Sequence, residues 1–128
     1  ALHSLYADLA ENYRGDANYD SGTVLVFGGI NEVTVSDLRA DTRVAGVVTT
    51  NPAYVMNTGC PGIAVAIALQ GRVPVKVRGR IRKGDIMVSA GNGVAMASSA
   101  PTLGTVLGKA LENFDGEAGV IEVVVGRL

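Results

Sequence analysis

With 128 residues, the chain is large enough for one hydrophobic core but not for two. Its hydrophobic share of 48% excludes a disordered chain, and its formal net charge of −1 gives no overall attraction to nucleic acid or to a membrane surface. Cys60 is the single cysteine and His3 the single histidine. This excludes an internal disulfide and argues against a histidine-based metal site or a Ser-His-Asp triad within one subunit.

These properties predict no cofactor, no metal, no nucleic-acid partner and no membrane partner. No apolar run approaches the roughly 20 residues that span a bilayer. The opening residues also lack the form of a signal peptide.

The first segment, residues 1–15, is predicted to be helical. Leu2, Leu5, Leu9 and Tyr13 recur at roughly helical spacing. A helix of this length is marginal by itself. We therefore expect it to pack on the sheet or on a neighbouring subunit.

The rest of the chain, residues 16–128, is predicted to be one mainly β domain. Turn residues separate many short Val-rich and Ala-rich runs, which is typical of a compact antiparallel sandwich or barrel. The predicted strands are 23–27, 32–36, 44–49, 64–69, 72–78, 85–89, 94–98, 103–108 and 119–125. Gly91-Asn92-Gly93 is followed by a strand pattern and not by a helix, so it predicts a hairpin turn and not a phosphate loop.

One strand, within residues 72–82, alternates between apolar and basic residues. Its apolar face is Val73, Val75, Val77 and Ile81, and its other face is Arg72, Lys76, Arg78, Arg80 and Arg82, interrupted by Pro74. Lines of positive charge and a proline are typical of edge strands, and no aromatic residue lies here to stack bases. We expect an edge strand or a subunit seam, which could face Asp16, Asp20, Glu32 or Asp37 of a neighbouring subunit.

Asp8 and Glu11 are three residues apart, so a helix would place their carboxylates side by side. Such a pair can divide acid and base work between its two groups. It is more often a solvated helix face, where substitution changes stability by less than about 0.5 kcal/mol.

Several blocks of the sequence resemble a known family. They are "ADLAENY" (7–13), "DSGTVLVFGG" (20–29), "VAGVVTTNPAYVMN" (44–57), "GRVPVKVRGRIRKGDIMVSAGNG" (71–93) and "GTVLGKALENFDGEAGVIEVVVGRL" (104–128). In this order they resemble the C-terminal domain of bacteriophage tail fibres, tailspikes and neck appendages. That family is known as the autoproteolytic, intramolecular-chaperone domain of the G2 peptidase type, and the later blocks are similar to cyanophage structural proteins.

The resemblance implies a homotrimer that contacts other virion proteins, is assembled in the host cytoplasm and resides in the virion. It also implies self-cleavage next to Asp8, with Glu11 as the second acidic residue of the motif. The Asp8 carboxylate, or a water that it activates, would attack the Ala7 carbonyl while Glu11 protonates the departing amide. Ala7 departs from a favourable pattern because it has no hydroxyl to assist an acyl shift.

Three functions follow from these observations. The first is a virion structural domain that forms the oligomerising end of a tail fibre or appendage. The second is the same domain acting as a self-cleaving assembly chaperone, an endopeptidase acting only on itself. The third is a capsid decoration or filament-forming protein.

Overall fold

Ten β-strands form the regular structure of residues 8–126, which is the part of the chain that the computed structural model describes, and no helix occurs in that part. The strands are β1 Asp8–Gly15, β2 Val24–Phe27, β3 Val33–Val35, β4 Val44–Val48, β5 Tyr54–Met56, β6 Ile63–Ile81, β7 Ile86–Gly91, β8 Val94–Ala97, β9 Val106–Ala110 and β10 Phe114–Val125. The mainly β prediction is confirmed.

The predicted N-terminal helix is wrong for residues 8–15, which form β1. This strand pairs antiparallel with β6 along its whole length and parallel with β5 at Leu9, Ala10 and Glu11. Leu9 and Tyr13 are four residues apart, a spacing that gives a shared face in a strand as well as in a helix. Pairing on two sides therefore prevails over a weak helical preference. Leu2 and Leu5 lie outside the described residues.

The longest strand, β6, is the centre of the sheet. The sequence predicts two strands here, 64–69 and 72–78, but the chain continues through Gln70 and Gly71 without a turn. The register with β1 shifts between Leu9 and Ala10, so Leu69 is an extra residue that forms a bulge. The first half of β6 pairs with β1 and β4, and the second half pairs with β10.

The ten strands belong to one mixed sheet in which the pairing closes two circuits that share β6. One circuit is β6-β4-β2-β3-β1 and the other is β6-β8-β7-β9-β10. Two links are single parallel pairs, Gly15 with Val33 and Val77 with Ala95. The predicted antiparallel sandwich or barrel is therefore corrected to one ten-stranded mixed sheet, because residue alternation identifies strands but not their partners.

Two clusters of buried hydrophobic residues form the core. The larger cluster surrounds the second half of β6, and the smaller cluster lies among β2, β3, β4 and the first half of β6. The larger contains Val24, Val47, Ala68, Val73, Val75, Val77, Ile81, Met87, Ala95, Leu107, Ala110, Ile121, Val123 and Val125. The smaller contains Leu25, Val33, Ala45, Val48, Val65 and Ile67. Small and β-branched side chains suit strands that approach this closely.

Hydrogen bonds of the Ser89 side chain hold the segment before β4 against β7. The Ser89 hydroxyl donates to the Leu38 carbonyl at 2.9 Å and accepts from the Asp41 amide at 2.9 Å. The Arg43 guanidinium donates two hydrogen bonds of 3.1 and 2.8 Å to the Asp41 carboxylate. These bonds lower the pKa of the Asp41 carboxyl. The two circuits are thus joined by hydrogen bonds as well as by β6. The predicted hairpin turn is confirmed at Asn92 and Gly93, whose positive φ angles of 53° and 72° fit a tight turn between β7 and β8.

Candidate functional site

Asp8 begins β1 and lies opposite Gly71 of β6. Its backbone carbonyl accepts a 2.8 Å hydrogen bond from the Ala53 amide, and the residue is only 5% exposed. The expectation that Asp8 belongs to a solvated face is therefore wrong. Burial raises the pKa of the Asp8 carboxyl, while the Thr49 hydroxyl and the Asp8 backbone amide partly offset that rise. Its Oδ2 atom has no hydrogen-bond partner among the described residues.

Glu11 does not join Asp8. Side chains alternate along a strand, so residues three apart lie on opposite faces of β1. The Glu11 carboxylate instead accepts a 3.1 Å hydrogen bond from the hydroxyl of Tyr13, which is two residues away on the same face. The paired carboxylates expected from helical spacing do not form within one chain.

A polar cavity of about 260 Å³ adjoins Asp8 where the ends of β1 and β4 approach β6 and β10. Its lining residues are Asp8, Ser21, Thr49, Thr50, Asn51, Arg72, Pro74 and Glu122. The cavity offers hydroxyls, one amide and charges of both signs, which can hold a polar group. It does not contain Glu11, the second acid of the motif, but Glu122 supplies a second carboxyl to its lining. No sequence pattern predicts this cavity, because Asp8 and Arg72 are far apart in the chain.

The raised pKa predicts that Asp8 makes the folded state less stable at neutral pH. A carboxyl whose pKa is higher when folded favours folding at low pH, and this contribution falls as the pH rises above its ordinary value of 3.8. We expect Asp8→Asn to melt at or above the wild-type temperature at neutral pH. Thermal unfolding of both proteins across the acidic range measures this difference.

Other carboxyls act with the opposite sign but are present in both proteins. Hydrogen bonds lower the pKa of Asp16, chiefly from Tyr19, and that of Asp41, chiefly from Arg43, so their stabilisation is lost as the pH falls. The informative quantity is the difference between wild type and Asp8→Asn at each pH. A variant that melts well below the wild type at neutral pH would show that the ionised carboxylate is needed.

The prediction for the basic strand, residues 72–82, is right about its buried face and wrong about its position in the sheet. Its apolar residues Val73, Val75, Val77 and Ile81 are all buried, as expected. Its position at a sheet edge is wrong, because this half of β6 pairs with β10 from Gly71 to Ile81 and also with β8 at Val77. The seam prediction concerns other copies of the chain and stays a prediction.

Three of the five basic residues on this strand, Lys76, Arg78 and Arg82, have partners within the chain. Arg78 donates to the Ala90 carbonyl at 2.9 Å, and the Lys76 ammonium lies 3.6 Å from an Asp20 carboxylate oxygen. Arg82 donates to two main-chain carbonyls, at 2.8 and 3.2 Å. Acidic residues of the paired strand β10 lie close to the basic residues of β6. Asp115, for example, lies opposite Arg80. Acidic residues of β10 therefore interrupt the positive charge along this strand.

Other polar features within residues 8–126 add no reactive group. No cluster of three or more His, Cys, Asp or Glu residues in this part is placed to hold a metal ion. Since the same residues include no helix, they include none long and apolar enough to cross a membrane. Cys60 is partly buried, and its thiol lies 3.6 Å from the Pro61 carbonyl.

The fold is similar to that of a phage head protein. Over 91% of this chain and 94% of the other, it aligns with the head fiber gp8.5 N base of bacteriophage phi29, with a TM-score of 0.52 and 17% sequence identity. At this identity the likeness concerns the fold alone. No family model matches the chain, and no curated protein sequence matches it.

Proposed function

We propose that this chain is a structural domain of a bacteriophage virion. The observation that carries the proposal is a fold similarity that extends over nearly all of both chains and is not limited to a shared motif. The sequence blocks that resemble phage fibre and appendage domains point to the same class of protein. The sheet also has no paired carboxylates at the motif, which favours a structural role over a catalytic one.

The particular place in the virion is part of the proposal. The similar protein is named as the base of a head fiber, whereas the sequence blocks resemble the ends of tail fibres and neck appendages. We propose a fibre or appendage domain that associates with further copies of itself, as a homotrimer, and with other virion proteins. A capsid-bound position is the alternative that the head fiber similarity favours.

Immunogold electron microscopy tests this proposal. Antibodies raised against the purified chain are applied to purified virions of the phage that encodes it, and we expect gold at fibres or appendages. Label on the head surface would favour the capsid-bound alternative. Virions without label and without peptides of the chain in mass spectra, from lysates that contain the chain, would contradict a structural role.

Self-cleavage next to Asp8 is the second candidate function. The buried Asp8 carboxyl favours it, because its raised pKa makes the ionised carboxylate a stronger base toward a water in the adjoining cavity. Glu11 lies on the opposite face of β1, so the second acid would be Glu122, which lines the same cavity, or a residue of a neighbouring copy. Intact mass spectrometry of the purified oligomer over time tests this function, with Asp8→Ala as the uncleavable control. A mass loss in the wild type alone would establish cleavage, and we expect an unchanged mass in both.

A further inference from the structure

Two exposed surfaces of the protein are complementary in apolar character and in charge. We propose that they bind each other between copies of this chain, as a head-to-tail interface. The proposal rests on the structural role argued above and names the partner of that role as a second copy. It can fail while the virion location stands, because its test is made on the purified protein.

The first surface is the outer side of β6, β9 and β10. Val124 lies in register between Arg72 on one neighbouring strand and Lys109 on the other. Val120 lies opposite Lys76 on the same side. The two valines are 43% and 61% exposed and lie on the same side of β10, so they add apolar surface among the cations. These five residues are called the basic face.

The charges of the basic face are only partly neutralised within one copy. Arg72 and Lys109 make no side-chain hydrogen bond or ion pair with the residues that the structure describes. Lys76 approaches Asp20, whose side chain is 91% exposed, so the pair contributes little. Glu122 is the acidic residue between the two valines, and the cations outnumber it.

The second surface lies at one end of the molecule, where three loops meet. These are the β2–β3 turn, the segment before β4 and the segment before β9. The Phe27 amide donates to the Arg43 carbonyl at 2.9 Å, which joins the first two loops. A Cβ added to Gly104 would be 3.9 Å from the Thr42 carbonyl oxygen, so the third loop also lies alongside.

These loops present three large apolar side chains to solvent. Ile30 is 90% exposed, Leu103 is 89% exposed and Leu38 is more than half exposed. Glu32 and Asp37 lie next to them in the same loops. These five residues are called the loop end. Exposed loop tips need no large apolar residue for folding, so their presence favours a contact.

The charge near the loop end is negative on balance. Arg43 is held by the buried Asp41 and reaches Asp37 only at 3.9 Å. Glu32 accepts a 2.7 Å hydrogen bond from the Arg14 backbone amide, and Asp16 is bonded to Thr34 of the adjoining strand. Three carboxylates, of Asp16, Glu32 and Asp37, therefore stand against the two cations Arg14 and Arg39. The same contrast runs through the whole sheet, since residues 8–62 carry seven acidic and three basic side chains and residues 63–126 carry five acidic and seven basic.

A second copy satisfies both surfaces at once. An apolar centre with charges of opposite sign around it is the usual composition of a specific interface. Two different surfaces that bind each other form a heterologous contact, which closes into a ring or continues as a filament. A contact of one surface with its own copy would instead bring like charges together.

Complementation between two variants tests this interface by light scattering. The basic-face variant is Val124→Asp with Lys109→Glu, and the loop-end variant is Ile30→Lys with Leu103→Lys. We expect the wild type to be oligomeric and each variant to self-associate at least about tenfold more weakly, as for central contacts of an interface. Mixing the two should give a one-to-one dimer, because each variant keeps the surface that the other has lost.

The control is Tyr54→Lys, which changes a 65% exposed aromatic residue outside both surfaces and should keep the wild-type mass. Circular dichroism and melting temperatures show that all variants fold. Raising the salt from about 0.1 to about 1 M, where the screening length falls from about 10 to about 3 Å, should weaken the wild-type oligomer. A monomeric wild type, or variants that remain separate when mixed, would overturn the proposal.

Discussion

Replacing Val75 by aspartate should prevent the protein from folding. Val75 is 1% exposed, lies in the larger hydrophobic cluster and pairs with the buried Ile121. An ionised carboxylate there would lose its hydration without gaining a partner, at a cost of several kcal/mol or more. A domain of this size is stable by only about 5–15 kcal/mol, so this single change removes much or all of the margin. Circular dichroism and amide NMR dispersion at neutral pH measure the outcome.

The matched control is Val124→Asp, the same chemical change on the neighbouring strand. Val124 is exposed on the opposite side of the sheet and stands between Arg72 and Lys109, where an aspartate meets water and cations. We expect this variant to fold with stability within about 0.5 kcal/mol of the wild type. A cooperatively folded Val75→Asp protein would show that the interior of the sheet is wetter than its burial implies.

The alternation along β6 is the feature that the sequence predicted best. Period-two spacing decides which side of a strand is buried wherever the strand lies in a sheet. For this reason the apolar face at Val73, Val75 and Val77 was predicted correctly although the edge position was not. The row of basic residues and Pro74 suggested an edge strand. Nothing in residues 72–82 indicates that β10, from a distant part of the chain, pairs with this strand.

The N-terminal segment shows the opposite case. Leu9 and Tyr13 fit both a helix and a strand, and the outcome depends on β5 and β6, whose approach a local pattern does not report. The wrong helix prediction also led to a wrong expectation for the candidate site. A helix would have paired Asp8 with Glu11 on a wet face, whereas the strand separates them and buries Asp8. The burial of a polar residue at a strand end is set by its tertiary neighbours.

The closed circuits were beyond prediction for a related reason. Nine strand regions were anticipated and each overlaps an observed strand, but β5 is a three-residue edge whose sequence looks like a loop. The links at Gly15 and Val77 are single pairs between parallel strands. A single pair between parallel strands has no recognisable sequence pattern. Parallel strands are connected by a long crossover and not by a short turn that a sequence could indicate.

Replacing Gly108 by alanine should destabilise the protein by about 3 kcal/mol or more, the upper range for overpacking a tight site. Gly108 lies in β9 between Met87 of β7 and Val125 of β10. A Cβ at this position would be 2.0 Å from the Val124 carbonyl oxygen and 2.7 Å from the Val125 Cα atom. Both atoms belong to the backbone, so no side-chain rotation can relieve the contact. The β9–β10 ladder would have to separate, which exposes the larger hydrophobic cluster at its edge.

Urea denaturation measures this effect as a lower midpoint, and an unchanged slope would show that the same surface is still exposed on unfolding. Gly59→Ala is the control, because no atom lies within 4 Å of the added Cβ and the residue is exposed in a loop. That variant should stay within about 0.5 kcal/mol of the wild type. If Gly108→Ala unfolds at the same urea concentration as Gly59→Ala, then β9 and β10 are not packed as closely as the structure places them. The second circuit would then lack its link from β9 through β10 to β6, since it closes only while these strands remain paired.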